Sequence, residues 1–243
     1  SRFIKEHFRN RYSLTQRKKV KTITVDMNAS YVSFIPELFP NADIIIDRFH
    51  LVQLVNRSMN KTRVKVMNRL RSGNSEDQKR YRRLKRFWKL LLKNASSLSY
   101  SAYKYYPLFG QRTEAGILSE MLDYDPELKE TYNVYQAILG AVKTNDYKAL
   151  KAILVSPLSL ATSSYIRTSI KTLKAHLSHI FNTFRYPYNN GKIEGINNKI
   201  KVLNRVAYGY KNFIHYKNRI ILHFNLKTAH SNHKQKEREH KAA

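Results

Sequence analysis

Residues 20–50 read VKTITVDMNASYVSFIPELFPNADIIIDRFH, and this stretch decides the fold. Val20 to Asp26 is β-branched and alternating, which predicts a strand. Asn28 or Ser30 then caps a short helix with Tyr31, Phe34, Ile35 and Leu38 on one side. Pro40-Asn41 turns the chain. Asp43 to Asp47 is a short apolar run between acids, the pattern of a strand buried on both faces of a parallel sheet. Strand, helix and strand make a βαβ unit, normally right-handed. Parallel strands end at one edge, so Asp26 and Asp47 emerge together at the carboxyl edge, where open α/β sheets place their sites.

The chain after residue 50 reads differently. From Arg48 to Arg185 the patterns predict only helices. Val52, Val55, Met59, Val66 and Leu70 share one face. Tyr81, Leu84, Trp88 and Leu91 form a second stripe. Leu128, Tyr132, Tyr135, Leu139 and Val142 form a third, and Ile166, Ile170, Leu173, Leu177, Ile180 and Phe184 a fourth. Breakers stand at Pro107–Gly110, Pro126 and Pro157.

Residues 186–210, YPYNNGKIEGINNKIKVLNRVAYGY, open on an Asn-Asn-Gly turn and run into another helix. Ile193, Ile196, Ile200 and Leu203 make a stripe expected to be buried. Glu194 stands beside it, with Asn197, Asn198, Lys201 and Arg205 on its own side. It is the only acid between Asp146 and Glu237. Ala207-Tyr208-Gly209 stops this helix, and Phe213, Tyr216, Ile220 and Phe224 mark a final one. Residues 227–243 are polar and aperiodic, as in a disordered tail. Residues 1–19 are basic and aromatic and read as a helix without its partners, or as a DNA-contacting arm.

Length allows one large domain or two small ones. The net charge of +28 suits a nucleic-acid partner, an anionic membrane surface being the rival. The charge is uneven. Residues 1–93 hold 23 Lys/Arg against 7 Asp/Glu, residues 94–155 hold 6 against 7, and residues 156–243 hold 16 against 3. Two basic flanks thus enclose a neutral middle, as an inserted lobe would. No run approaches the roughly 18 apolar residues of a membrane span, and no cysteine is present for a disulfide. A Gly-rich phosphate loop, GxSxG and HExxH are all missing, which argues against a nucleotide triphosphatase, an α/β-hydrolase and a zincin.

Two carboxylates at one sheet edge and a third on a helix suggest hard oxygen ligands for Mg²⁺ or Mn²⁺ in phosphodiester chemistry. The plain alternative is that Asp26 caps a helix and Asp47 pairs with a nearby cation. His50 stands three residues after Asp47, able to ligate, contact phosphate or pack. His176 and His179 lack an acid or cysteine to complete a zinc site and read as structural. The tyrosines read mostly as core; Tyr208 and Tyr210 are candidates for stacking on bases.

Three stretches closely resemble the DDE transposases of bacterial insertion sequences, nearest the ISL-three family. They are VDMNASY at 25–31, PNADIIIDRFHLV at 40–52 and NNGKIEGINNKIKVLNRVAYGYKNF at 189–213. The resemblance implies an α/β fold, predominantly helical. A partial RNase H-like core would have a truncated sheet, the βαβ unit and closing helices, interrupted by a large all-helical insertion. The implied parts are a basic segment 1–19, core 20–50, insertion 51–185, core 186–226 and tail 227–243. Asp26 matches the second acid of the triad and Glu194 the third, both as ligands of Mg²⁺ or Mn²⁺; an alternative register makes Asp47 the second acid. Asp47 and His50 match an accessory Asp-x-x-His signature.

The family's first acid lies upstream of residue 1. The expectation is therefore a C-terminal part, inactive alone. Arg48, Arg57, Lys192, Asn197, Asn198, Lys201, Arg205 and Lys211 are expected to hold DNA. The expected partners are transposon ends and target DNA, bound by a homodimer or larger assembly with no membrane. The expected place is the bacterial cytoplasm, at the nucleoid. A non-catalytic nucleic-acid-binding protein is the alternative.

Overall fold

The computed structural model describes residues 2–27 and 29–226. In chain order α1 (Arg2–Arg11) and α2 (Leu14–Lys18) precede β1 (Thr22–Val25), α3 (Ala29–Leu38) and β2 (Asp43–Ile46). There follow α4 (Arg48–Arg69), α5 (Ser75–Arg86), α6 (Trp88–Leu92), β3 (Lys104–Tyr106) and β4 (Gly110–Arg112). Next come α7 (Glu114–Leu122), α8 (Pro126–Lys143), α9 (Tyr147–Val155), α10 (Ser164–Ala175) and α11 (Leu177–Arg185). Finally α12 (Gly191–Val206) and α13 (Phe213–His223) form a pair. The chain divides into two compact units, Ser1–Asn189 and Asn190–Ala243. The protein is predominantly helical, with two small two-stranded sheets among the described residues.

The strand–helix–strand reading holds. β1 and β2 pair in parallel, Thr22 opposite Asp43 and Val25 opposite Ile46. Ile44, Ile45 and Ile46 are consecutively buried, because both faces of β2 are covered. The backbone N–H groups of Asp43 and Asp47 donate to the carbonyls of Lys21, just before β1, and of Val25, its last residue. The carbonyls of Ile44 and Ile46 therefore point away from β1. They accept from α11 instead: Asn182 Nδ2 donates to Ile44 O at 3.0 Å and Thr183 Oγ1 to Ile46 O at 2.6 Å. Side chains of a helix thus occupy the outer edge of β2, which blocks further strand pairing there.

A small cluster of Phe34, Ile35, Leu38, Phe39 and Ile44 lies beneath α3. The N-terminal segment joins it. Ile4 and Phe8 pack on this cluster, Phe8 meets Phe39 edge to face at 5.1 Å, and Lys5 and Arg9 both pair with Glu37. The helix expected to lack partners has one in α3.

The larger core is organised by α4. Its Leu51, Val55, Met59 and Val66 are buried against α8 and α10, with Tyr135, Ile138, Ile166 and Ile170 among the facing residues. Small hydroxyls let these helices approach closely. Ser58 bonds Ser169 at 2.6 Å, Thr62 bonds Ser163 at 2.7 Å, and Ser163 N donates to Thr131 Oγ1 at 3.1 Å.

Three expectations are corrected. The middle is not all helix, because β3 and β4 make an antiparallel hairpin with Lys104 opposite Arg112. Pro107–Gly110, read as a helix breaker, is the turn of this hairpin together with the first residue of β4. Gly110 has φ of +71°, a value natural to glycine, and Arg83 anchors the turn by donating from Nε and Nη2 to Leu108 O at 3.0 and 2.7 Å. The second and fourth stripes each span two helices, broken at Phe87 and at His176.

The third correction concerns α12. Ile193 and Ile196 are 60% and 43% exposed, and neither α12 nor α13 has a buried residue. Within their own unit, two helices cannot cover both apolar stripes by packing on each other. Ile200 and Leu203 are half-buried, and Tyr216 Oη donates to Ile200 O at 3.1 Å. The tail 227–243 and Asn28 lie outside the described residues. No helix among the described residues is long and apolar enough to cross a membrane.

Candidate active site

Asp26 follows the last residue of β1, and Asp47 follows the last residue of β2. Equal strand lengths in parallel register bring both to the carboxyl edge, but their local chemistry differs. Asp47 is buried at 4% exposure and is the N-cap of α4, its Oδ1 accepting from Phe49 N at 2.8 Å. A carboxylate in that place satisfies an orphan N–H and complements the positive end of the helix. The Asp26 side chain is half exposed.

The cap explains the Asp-x-x-His spacing. Asp47 is tied by its N–H to Val25 O, which fixes where α4 starts relative to β1. Three residues later, His50 lies in the first helical turn and turns back over the end of β1. Its Nε2 is 2.7 Å from Asp26 Oδ1. A carboxylate oxygen only accepts, so the proton of this bond is on Nε2. Asp26 and His50 are thus brought together, and Asp47 does the placing.

The cations named from sequence divide. Arg48 is half-buried: its Nη2 donates to Thr183 O at 3.2 Å and to Asn145 Oδ1, and its guanidinium lies 5.3 Å from the Phe184 ring centroid. It clamps α4 to α11 and to the α8–α9 connection, a role that pairing with residues so distant in sequence conceals. Arg57 is exposed, donating to Gln53 Oε1 at 2.8 Å.

Glu194 belongs to the second unit. It sits in the first turn of α12, its N–H donating to Asn190 O at 2.9 Å, where the helix dipole favours a negative charge. Lys192, Asn197, Asn198, Lys201, Arg205 and Lys211 are all exposed in that unit. No group of three or more His, Cys, Asp or Glu placed to hold a metal is gathered among the described residues.

His176 lies at the junction of α10 and α11, and His179 in the first turn of α11. His176 and His179 have ring centroids 6.2 Å apart, and burial holds His179 below the usual imidazole range, with the His176 charge adding to it. Contrary to the expectation of a mostly core role, only Tyr132 and Tyr135 of the 17 tyrosines are buried and eight are exposed; Tyr135 is fully buried and donates to Leu92 O at 2.8 Å. Tyr208 is fully exposed with φ of 52°, and Tyr210 packs on Tyr216 at 5.0 Å. Sequence reasoning missed Tyr186. Its hydroxyl donates to Asp43 Oδ2 at 2.6 Å, and that bond raises its pKa. The Tyr-Pro-Tyr run was the available signal.

Comparison with known proteins gives the chain its family. The transposase for insertion sequence element IS1001 of Bordetella parapertussis is 28% identical over 204 residues, covering 80% of this chain and 45% of that protein. A Lactococcus lactis subsp. lactis protein named ATP-dependent protease is 36% identical over 110 residues, covering 45% of this chain and 35% of that protein. The chain therefore spans less than half the length of either relative. No solved structure matches it. A family model described as transposase, for the ISL3 (ISL-three) group of DDE enzymes, matches residues 1–220, and the chain belongs to that family.

Proposed function

We propose that this chain forms part of a transposase that cuts and joins DNA at the ends of an insertion sequence, with Asp26 and Glu194 as two of its three catalytic acids. The observation that carries the reading is Asp26 itself: a half-exposed carboxylate at the carboxyl end of β1, held from one side by His50. Asp47 competes poorly for that role, being buried and engaged in capping α4. A half-exposed hard oxygen donor suits Mg²⁺ or Mn²⁺. Such an ion, when bound, neutralises phosphate charge and activates water. His50 holds the Asp26 carboxylate in one orientation. Lys192, Lys201, Arg205 and Lys211 hold backbone phosphates, while Asn197 and Asn198 reach phosphate or bases.

The βαβ unit is read as the end of an RNase H-like sheet. With the outer edge of β2 closed by α11, further strands add beside β1, next to Asp26. On this reading residues 51–185 are an insertion and 186–226 return to the core. On the same reading the remaining acid, the first of the triad, is supplied from outside these 243 residues. DNA partners, assembly as a dimer or more on DNA, and a place at the nucleoid follow from the same reading. The net charge of +28 equally favours a module that only binds nucleic acid.

Experiment separates the two. The chain alone binds a transposon-end duplex with strong salt dependence and does not nick it in Mg²⁺ or Mn²⁺. Joined to the N-terminal part of a full-length family relative, it cuts and transfers strands. Asp26→Ala or Glu194→Ala then abolishes transfer and leaves binding intact. Transfer that survives either substitution refutes the site; nicking by the chain alone that requires Glu194 refutes the incomplete triad.

A further inference from the structure

We propose that the cleft where α11 ends is a stacking site for one unpaired nucleobase of a DNA strand, with Arg185 placed for its phosphate; this rests on the DNA reading above. The cleft has a volume of about 450 Å³, and its walls are Arg48, Asn145 and the segment from Phe184 to Asn189. That lies within the roughly 300–1,000 Å³ of small-molecule clefts, enough for one nucleotide and too little for a duplex.

The local chain explains the ring arrangement. Tyr186 is extended, with φ of −103° and ψ of 144°, as a residue before proline prefers. Pro187 fixes the next φ, so Tyr186 and Tyr188 project to the same side. Their rings lie near-parallel at 16°, with centroids 6.1 Å apart. The hydroxyl bond to Asp43 Oδ2 anchors Tyr186 to β2. Tyr188 is backed by this anchored ring and is itself 54% exposed, so it offers an aromatic surface to a flat ligand.

Charge selects the kind of ligand. The Arg185 guanidinium lies 5.2 Å from the Tyr186 ring centroid and is exposed. Arg48 uses only Nη2 in its hydrogen bonds among the described residues, and its side chain contributes to the cleft wall. An aromatic platform with two guanidinium groups matches a base with its phosphate. A duplex would need only the cations, since its bases hide their faces in the stack.

The test uses the whole 243-residue chain and a short oligothymidine strand carrying one central 2-aminopurine, alongside the corresponding duplex. Binding of the single strand quenches the 2-aminopurine. Tyr188→Ala removes the quench and weakens single-strand binding roughly tenfold or more, while Tyr188→Phe keeps both and neither changes duplex binding. Arg185→Gln lowers the single-strand salt slope by about 0.7, one phosphate's share. Unchanged single-strand affinity and quench in Tyr188→Ala, with tight duplex binding, overturn this inference alone and leave the rings as packing. Failure to bind either form of DNA overturns the functional reading with it.

Discussion

At the scale of single residues, the acids at the sheet edge have separate duties. Asp47 holds the start of α4, and Asp26 receives the histidine that this start delivers. Loss of an N-cap typically costs about 1 kcal/mol, with an upper range near 2. In a unit of this size Asp47→Ala lowers the melting temperature by roughly 2–8 °C. Asp47→Asn keeps an accepting oxygen and loses much less. His50→Ala changes melting little, because its partner carboxylate is half solvated. Thermal denaturation by circular dichroism checks all three; an Asp47→Ala protein as stable as the parent removes the capping account. The strand-end positions of both acids were legible, since period-two alternation and a short apolar run locate strand ends. The Asp26–His50 bond was not, because it depends on the angle at which α4 leaves the sheet. Arg48 was legible as a cation but not as a clamp, since its acceptors lie 97 and 135 residues away.

At the scale of elements, the long helices and the parallel β1–β2 pair were readable, and the three-residue strands β3 and β4 were not. α8 carries its whole apolar stripe within Pro126–Lys143, capped by Asp125 through bonds to Glu127 N and Leu128 N. β3 and β4 have three residues each, too few to display an alternation. Their lobe depends on a tertiary ion pair that no local pattern announces. Glu114, in the first turn of α7, accepts from Lys93 Nζ at 2.6 Å and from Ser99 N at 3.0 Å, joining α7 to the segment after α6. The bond from Lys93 comes first, and the Ser99 N–H second, in holding its pKa below the ordinary 4.5. With the folded value below the unfolded one, this stabilisation is complete well above pH 4.5. It is lost as pH falls through the folded value. Glu114→Gln is therefore less stable than the parent at pH 7, and the difference shrinks as melting is followed from pH 5 to pH 3. A difference that stays constant over that range contradicts the ion pair.

At the scale of the whole molecule, the two units differ in what holds them. Every residue of both hydrophobic clusters lies before Asn189, whereas α12 and α13 bury nothing completely. Helices of 16 and 11 residues are near or below the roughly 12–15 needed for marginal stability in water. Their apolar stripe was legible as a stripe, but its burial was inferred from a partner surface that two helices do not provide. A chain ending at Asn189 accordingly folds, melting cooperatively within about 3 °C of the 243-residue protein. A peptide of residues 190–226 shows little helix alone at 25 °C. Circular dichroism at 222 nm reads both. The same reasoning sets a limit on the chemistry: Glu194 is carried by the less stable unit, and its exposed neighbours Ile193 and Ile196 need an apolar surface before it can be held still. Ile196→Lys then leaves the melting of this chain unchanged, since Ile196 belongs to neither hydrophobic cluster of the first unit. A drop of more than about 3 °C from that substitution, or from removal of residues 190–243, contradicts the assignment of stability to the first unit.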